Sequence, residues 1–279
     1  MRDLALLLVL APACAARPAA TITEINPAQT TAAAIGETFT IDSKILGERR
    51  TINVFVPLGN VTERLPVLYM PDGGMTEDFP HVVGSVDVSI KNAVIRPVMV
   101  VGIQNTERRR DLVGPTVVAD EIKVAPHAGG ADKFRAFLRD ELKPLIDKRY
   151  PTTGESALIG ESLAGLFVIE TFLVEPTLFD SYIAASPSVW WNEQTTVRSA
   201  AARLGNWTAG SKTLYIASAD EEAIQEGVEI LTTALRITRP AGVVWTYEPM
   251  PHEHHSTVFP TAALHGIRYM FAIPAGDEP

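Results

Sequence analysis

The stretch Ser156-Ala157-Leu158-Ile159-Gly160-Glu161-Ser162-Leu163-Ala164-Gly165-Leu166-Phe167 constrains the fold of this chain more than any other. A short apolar strand runs into a glycine. A serine follows one residue later, and small residues then open an apolar segment of helical character. A strand-to-helix turn this tight requires small neighbours, and it lifts the serine hydroxyl clear of the sheet. The usual pattern is G-x-S-x-G. Here Ala164 stands where the last glycine normally sits, and Gly165 follows. Alanine is still small enough for helix and strand to pack closely.

A serine presented in this way needs a base, and histidine is the side chain whose pKa suits that task at neutral pH. After an elbow of this kind the histidine comes last in chain order, on a loop beyond the last strand. Three of the six histidines fall in Pro251-His252-Glu253-His254-His255-Ser256-Thr257, just past the strand-like run Val243–Tyr247. A metal would want its ligands on a rigid element at helical or hairpin spacing, which a proline-flanked loop offers poorly, so no metal is expected. A carboxylate should lie between serine and histidine, to hold the imidazole tautomer. Asp220, Glu221 and Glu222 follow the strand-like Lys212–Ala219. Carboxylates also favour a helix N-terminus, so position alone does not choose among the three.

Around these points the chain alternates strands with helices. Thr38–Ser43 and Thr51–Pro57 alternate polar and apolar residues, and they predict an antiparallel edge hairpin turned near Gly47. Val67–Met70 and Val98–Ile103 are continuous apolar runs, which suits parallel strands buried on both faces. Ala131–Arg149 has helical periodicity. The expectation is one α/β domain over residues 21–274, with a mostly parallel sheet, an antiparallel N-terminal edge and helices on both faces. Ligands of such sheets collect at the carboxyl ends of the strands. Pro71-Asp72-Gly73-Gly74 falls at one such end, so the backbone N–H of Gly73 is expected to form an oxyanion hole with that of Leu163, the residue after the serine.

The formal net charge of −9 and the lack of a basic stripe argue against a nucleic-acid partner. The run Arg108-Arg109-Arg110, bracketed by Glu107 and Asp111, reads as a local ion-pair cluster. Residues 1–16 read as a signal peptide: Arg2, an apolar Leu4–Leu10 too short to span a bilayer, then small residues with cleavage after Ala15 or Ala16. Export to a periplasmic or extracellular location is expected, with no membrane span in the mature chain. Cys14, the single cysteine, is not expected to be lipidated, because Pro12 spoils the preceding motif. Asn60-Val61-Thr62 and Asn206-Trp207-Thr208 are formal glycosylation sequons.

Six segments together resemble the esterase family of α/β-hydrolases, over about Phe39 to Phe271. They are P-V-L-Y-M-P-D-G-G (66–74), V-V-G-I-Q-N-T-E-R-R-R-D (100–111), F-L-R-D-E-L-K-P-L-I-D (137–147), G-E-S-L-A-G-L (160–166), S-P-S-V-W-W-N (186–192) and P-H-E-H-H-S-T (251–257). That family includes siderophore esterases, feruloyl esterases, S-formylglutathione hydrolases and mycolyltransferases. The siderophore branch is the most similar, through the paired tryptophans and R-x-R-D. The resemblance implies an α/β-hydrolase fold and hydrolysis of a small-molecule ester by Ser162 as nucleophile, with no cofactor. It places the base at His255 and the acid on Glu221, with Asp220 as runner-up. Trp190 and Trp191 are expected either to wall the substrate pocket or to pack the core. Arg110 is expected either to meet an acidic group of the substrate or to pair with Asp111 or Glu107. An acyltransferase with the same residues, or a non-catalytic binder on the same scaffold, are the alternatives.

Overall fold

Alternate residues along single strands feed two separate cores, and this parity organises the molecule. The computed structural model describes residues 34–57 and 63–274. The expected signal segment, Cys14 and the Asn60 sequon lie outside them. In β3 (Leu65–Pro71), Val67 and Tyr69 face one core while Leu68 and Met70 face the other. In β4 (Met99–Ile103), Met99, Val101 and Ile103 oppose Val100 in the same way. In β5 (Thr152–Glu161), Leu158 opposes Ala157 and Ile159. A strand buried on both faces has no polar side, which is why these segments read as unbroken apolar runs.

The sheet has eight strands in the order β1-β2-β4-β3-β5-β6-β7-β8. β1 (Glu37–Ser43) and β2 (Glu48–Phe55) form the antiparallel edge hairpin, turned at Gly47 with φ +70°. β2 also runs antiparallel to β4. The remaining pairs are parallel and include β6 (Ser181–Ala185), β7 (Lys212–Ser218) and β8 (Val243–Pro249). This is the α/β-hydrolase architecture.

α1 (Phe79–Lys91) and α10 (Val258–Met270) cover one face, through Phe79, Val82, Val86, Phe259, Ala262 and Ile267. The other face is covered by α4 (Ala131–Phe137), α5 (Lys143–Arg149), α6 (Leu163–Val174) and α9 (Glu222–Thr238), with shorter helices α2 (Arg108–Asp111), α3 (Ala119–Val124), α7 (Trp191–Arg198) and α8 (Ala200–Gly205) around them. No helix among the described residues is long and apolar enough to cross a membrane.

The helix expected over Ala131–Arg149 is not one regular α-helix. A π-turn, Leu138–Leu142, separates α4 from α5. Pro144 lies just after it. Proline has no N–H to close an i→i−4 bond and its ring crowds the carbonyl one turn back, so an extra residue is taken up before it. The same face holds a buried ion pair that the strand pattern did not announce. Arg50 of β2 is 0% exposed and bonds the buried Asp111 at the end of α2. This contact ties α2 to the sheet beside the carboxyl ends of the strands.

Candidate active site

Ser162 sits at the step from β5 into α6 with φ 59° and ψ −121°. A non-glycine residue held there is strained, and such strain persists only when the surroundings over-determine it. Here they do. Ser162 N–H donates to Ala185 O at the end of β6 (3.0 Å), and Ser162 O accepts from Leu166 N–H (2.9 Å) and Ser188 N–H (2.9 Å). The close packing is specific. A Cβ at Gly160 would lie 2.6 Å from the carbonyl of Ala164, and one at Gly165 would lie 2.9 Å from Ala185 O. Ala164 is therefore tolerated at the usual glycine position because Gly160 faces it.

His255, on the loop between β8 and α10, reaches Ser162. Its Nε2 lies 2.9 Å from Ser162 Oγ and its Nδ1 lies 2.7 Å from Glu221 Oε2. Glu221 is the residue immediately before α9. Both contacts are in the range that nucleophile, base and orienting carboxylate require. Asp220 and Glu222 are exposed and make no contact with His255. His252 and His254 are exposed as well, and the backbone N–H and O of His254 bond Thr257 at the start of α10. The loop thus aims one of its three histidines inward.

Three expected site residues, Gly73, Arg110 and Trp190, do not take their expected places. Gly73 N–H donates to Ile103 O (3.0 Å), so it is committed to the end of β4 and is not free to meet an oxyanion. Its glycine character has another cause. A Cβ there would lie 2.3 Å from Gly102 Cα and from Ile103 N, so the loop crosses β4 with no room for a side chain. The next N–H, that of Gly74, donates to Glu77 Oε2 (2.7 Å). Leu163 N–H, by contrast, opens α6 directly after Ser162 and has no acceptor among the described residues.

Arg110 turns away from the serine. It bonds Glu48 Oε1 (2.7 Å) and Asp111 Oδ1 (2.7 Å), and their carboxylates hold its guanidinium firmly protonated. Arg108 is the arginine that faces the site. Its guanidinium forks onto Asp72 at 2.7 and 2.8 Å, and its Nη2 reaches Glu161 O at 3.3 Å. Trp190 is 38% exposed and does not line the cavities at Ser162 and His255. Trp191 is buried and donates its Nε1–H to Gly114 O (3.1 Å), so it is a core residue.

The cavity at Ser162 is an open one of about 440 Å³, lined by Asp72, Glu77, Asp78, Asn105, Arg108, Glu161, Ser162 and His255. Two of its neighbours were missed in the sequence. Ser188 Oγ lies 3.3 Å from Ser162 Oγ. Glu161 Oε1 lies 3.4 Å from His255 Nε2, on the same side of the ring as the serine. Burial pushes the Glu161 carboxyl up to about 7, against a smaller downward pull from His255 and Arg108. Glu161 occupies the variable position of the elbow pattern, so its type carried no signal. Ser188 lies within S-P-S-V-W-W-N, where the tryptophans drew the attention.

Known proteins share this arrangement of strands. The chain is similar to the crystal structure of an IroE-like serine hydrolase from Shewanella oneidensis, with TM-score 0.78, 25% identity, and 85% of this chain and 80% of that one covered. It also matches the BES protein of Bacillus cereus, with TM-score 0.78, 23% identity, and 90% and 100% covered. Among curated proteins it is 32% identical over 167 residues to the ferri-bacillibactin esterase BesA of Bacillus subtilis, a match to 52% of this chain and 56% of that one. The matched stretches amount to about half or less of the length of the curated relatives. The family model described as "Putative esterase" matches residues 43–238, a span that runs from the edge hairpin through Ser162 and Glu221, and on that match the chain belongs to this esterase family.

Proposed function

We propose that the protein is a serine esterase that hydrolyses carboxylic esters of the siderophore type through an acyl-enzyme. The observation that carries the reading is the continuous chain of contacts Ser162 Oγ–His255 Nε2 and His255 Nδ1–Glu221 Oε2 at 2.9 and 2.7 Å. The substrate class rests on relatives whose own names are ferri-bacillibactin, enterobactin and triacetylfusarinine C esterases.

In the first half of the reaction His255 Nε2 takes the Ser162 proton as Oγ bonds the ester carbonyl carbon. Leu163 N–H stabilises the oxyanion, a contribution of about 3 kcal/mol for a well-placed donor. Glu221 stabilises the imidazolium through Nδ1–H. Collapse breaks the bond to the alcohol oxygen, which leaves with the proton held on Nε2. In the second half water gives a proton to His255 and attacks the acyl carbon, and collapse returns the proton to Ser162 as the acid departs. Water as acceptor fits the open site, where the His255 side chain is 39% exposed. A transferase would need to keep water from the acyl-enzyme.

The test is hydrolysis of short and long p-nitrophenyl esters, methyl ferulate and a catecholate trilactone, with product analysis in the presence and absence of an added alcohol. Ser162→Ala is expected to lower kcat by about 10³-fold or more. A folded Ser162→Ala chain with near wild-type turnover overturns the reading, and ester products with the added alcohol in place of free acid would convert it to a transferase.

A further inference from the structure

Ser188 carries a buried hydroxyl whose partner is the nucleophile itself. Its Oγ lies 3.3 Å from Ser162 Oγ, and among the described residues that hydroxyl bonds no other group. The residue is 2% exposed, so bulk water does not serve it instead. The turn that holds it is fixed on two sides. Ser186, with φ 36°, donates its N–H to Ala217 O (2.8 Å) and accepts Ala219 N–H on Oγ (2.8 Å), which ties the end of β6 to the turn before Glu221. Ser188 N–H donates to Ser162 O (2.9 Å), which ties the same turn to the elbow. A left-handed serine followed by Pro187 leaves this segment little freedom, so the Ser188 hydroxyl is in place before any substrate arrives.

The side from which it approaches decides what it can do. The Ser162–Leu163 peptide is trans, so its C=O and N–H point in opposite directions. Ser188 is bonded to the C=O, whereas the oxyanion of the esterase reading belongs at Leu163 N–H. Ser188 is therefore not a second oxyanion donor, and what its hydroxyl meets is Ser162 Oγ. The Ser162 O–H is spent on His255 Nε2 at 2.9 Å, the shorter contact, which leaves Oγ as acceptor and Ser188 as donor. At 3.3 Å this bond is longer than the usual O–H···O distance of about 2.7–2.8 Å, so it does little for the resting hydroxyl. When His255 takes the Ser162 proton, negative charge grows on Oγ. A hydroxyl donating to a charged oxygen draws in to about 2.5–2.7 Å and gains roughly twofold in strength. The contact is then stronger in the transition state than at rest, which is the condition for an interaction to speed a reaction.

We propose that Ser188 is a catalytic residue that donates its hydroxyl to Ser162 Oγ while that oxygen carries charge. It acts in the attack on the ester and again when Oγ leaves the acyl carbon. The proposal rests on the esterase reading and adds a donor to it. The Ser188 proton stays on Ser188 throughout, and the proton that moves is the one His255 takes from Ser162 and later returns.

Ser188→Ala tests this, because it removes one oxygen and no packing carbon. On p-nitrophenyl acetate the variant is expected to lose about tenfold in kcat, the usual worth of one such hydrogen bond, with KM within about twofold of wild type. Diethyl p-nitrophenyl phosphate reads the nucleophile directly: Oγ bonds phosphorus, p-nitrophenolate leaves, and the enzyme stays phosphorylated. Its second-order rate of inactivation should fall by a similar factor. Both assays run on protein shown to be folded by circular dichroism. Turnover and inactivation within about twofold of wild type in Ser188→Ala overturn the proposal alone. So does a loss confined to KM, or a lower kcat with an unchanged rate of inactivation. A wild-type protein that neither hydrolyses the ester nor is inactivated by the phosphate overturns the esterase reading and the proposal with it.

Discussion

His255 is held between an acceptor, Glu221, and a donor, the Ser162 hydroxyl, and this makes its loop testable one residue at a time. With Nδ1–H donated to Glu221, the lone pair of neutral imidazole lies on Nε2, aimed at Ser162 Oγ. Glu221→Gln offers Nδ1 either an amide oxygen or an amide NH₂, and the second choice strands the proton on Nε2, where it cannot accept from serine. The expected cost is about 10²- to 10⁴-fold in kcat, with KM changed little. His255→Ala should cost at least as much, while His254→Ala and His252→Ala, whose rings are exposed, should stay within a few-fold of wild type. Kinetics on one ester for all four variants checks the assignment. A large loss at His254 beside a small one at His255 would sink it. Part of this arrangement was legible in the residues: the elbow, the histidine loop and the acidic strand end are each visible as patterns. The choice of Glu221 over its neighbours came from resemblance to a family, because three adjacent carboxylates differ in direction and not in chemistry.

Close approach between backbones governs the elements. Gly160 faces Ala164 across the elbow, and a Cβ there would lie 2.6 Å from main-chain atoms that cannot rotate away. Gly160→Ala is therefore expected to destabilise the fold by about 1–3 kcal/mol, the usual cost of overpacking. It should also lower kcat, because α6 must lift from β5 and carry Ser162 and Leu163 with it. Urea unfolding and kcat measured on the same preparation check both effects, and an unchanged midpoint would contradict the geometry. The same scale explains what the sequence hid. Strand parity made both cores readable, since Leu68 and Tyr69 must part company in any strand. The run Arg108-Arg109-Arg110 has no parity of that kind. One turn of α2 sends Arg108 to Asp72 and Arg110 back to Glu48, and three identical residues give no pattern to separate them. Gly73 misled for a related reason. Its position after β3 was readable, but β3 and β4 stay in register through Pro71 and Ile103, so its N–H continues the ladder in place of facing the serine.

At the scale of the whole molecule the buried charge of Glu161 opposes stability, and the sign of that effect can be worked out. Its ordinary value of 4.5 is pushed up to about 7, first by burial. An unfolded chain releases this proton near 4.5, whereas the folded chain keeps it until about 7. Between those values the folded state binds more protons, so this group makes stability fall as pH rises across that window and levels off above it. The exposed pairs act the other way. The Glu37 carboxyl is held below its ordinary range by the Tyr150 hydroxyl and Arg149, and that of Asp42 by Arg49, so their contributions are lost as pH falls. Surface pairs of this kind are worth little, and the Glu161 effect should stand out against them. Replacing the carboxyl by an amide removes the titration and keeps the shape. Glu161→Gln is therefore expected to raise the melting temperature at pH 8 and to change it little at pH 5. In a chain of this size each kcal/mol recovered corresponds to about 2–4 °C. Thermal melts of both proteins across pH 5–8 measure the difference directly. An equal shift at both ends would mean that the amide acts through packing, and that the buried carboxylate carries no charge penalty in the folded protein.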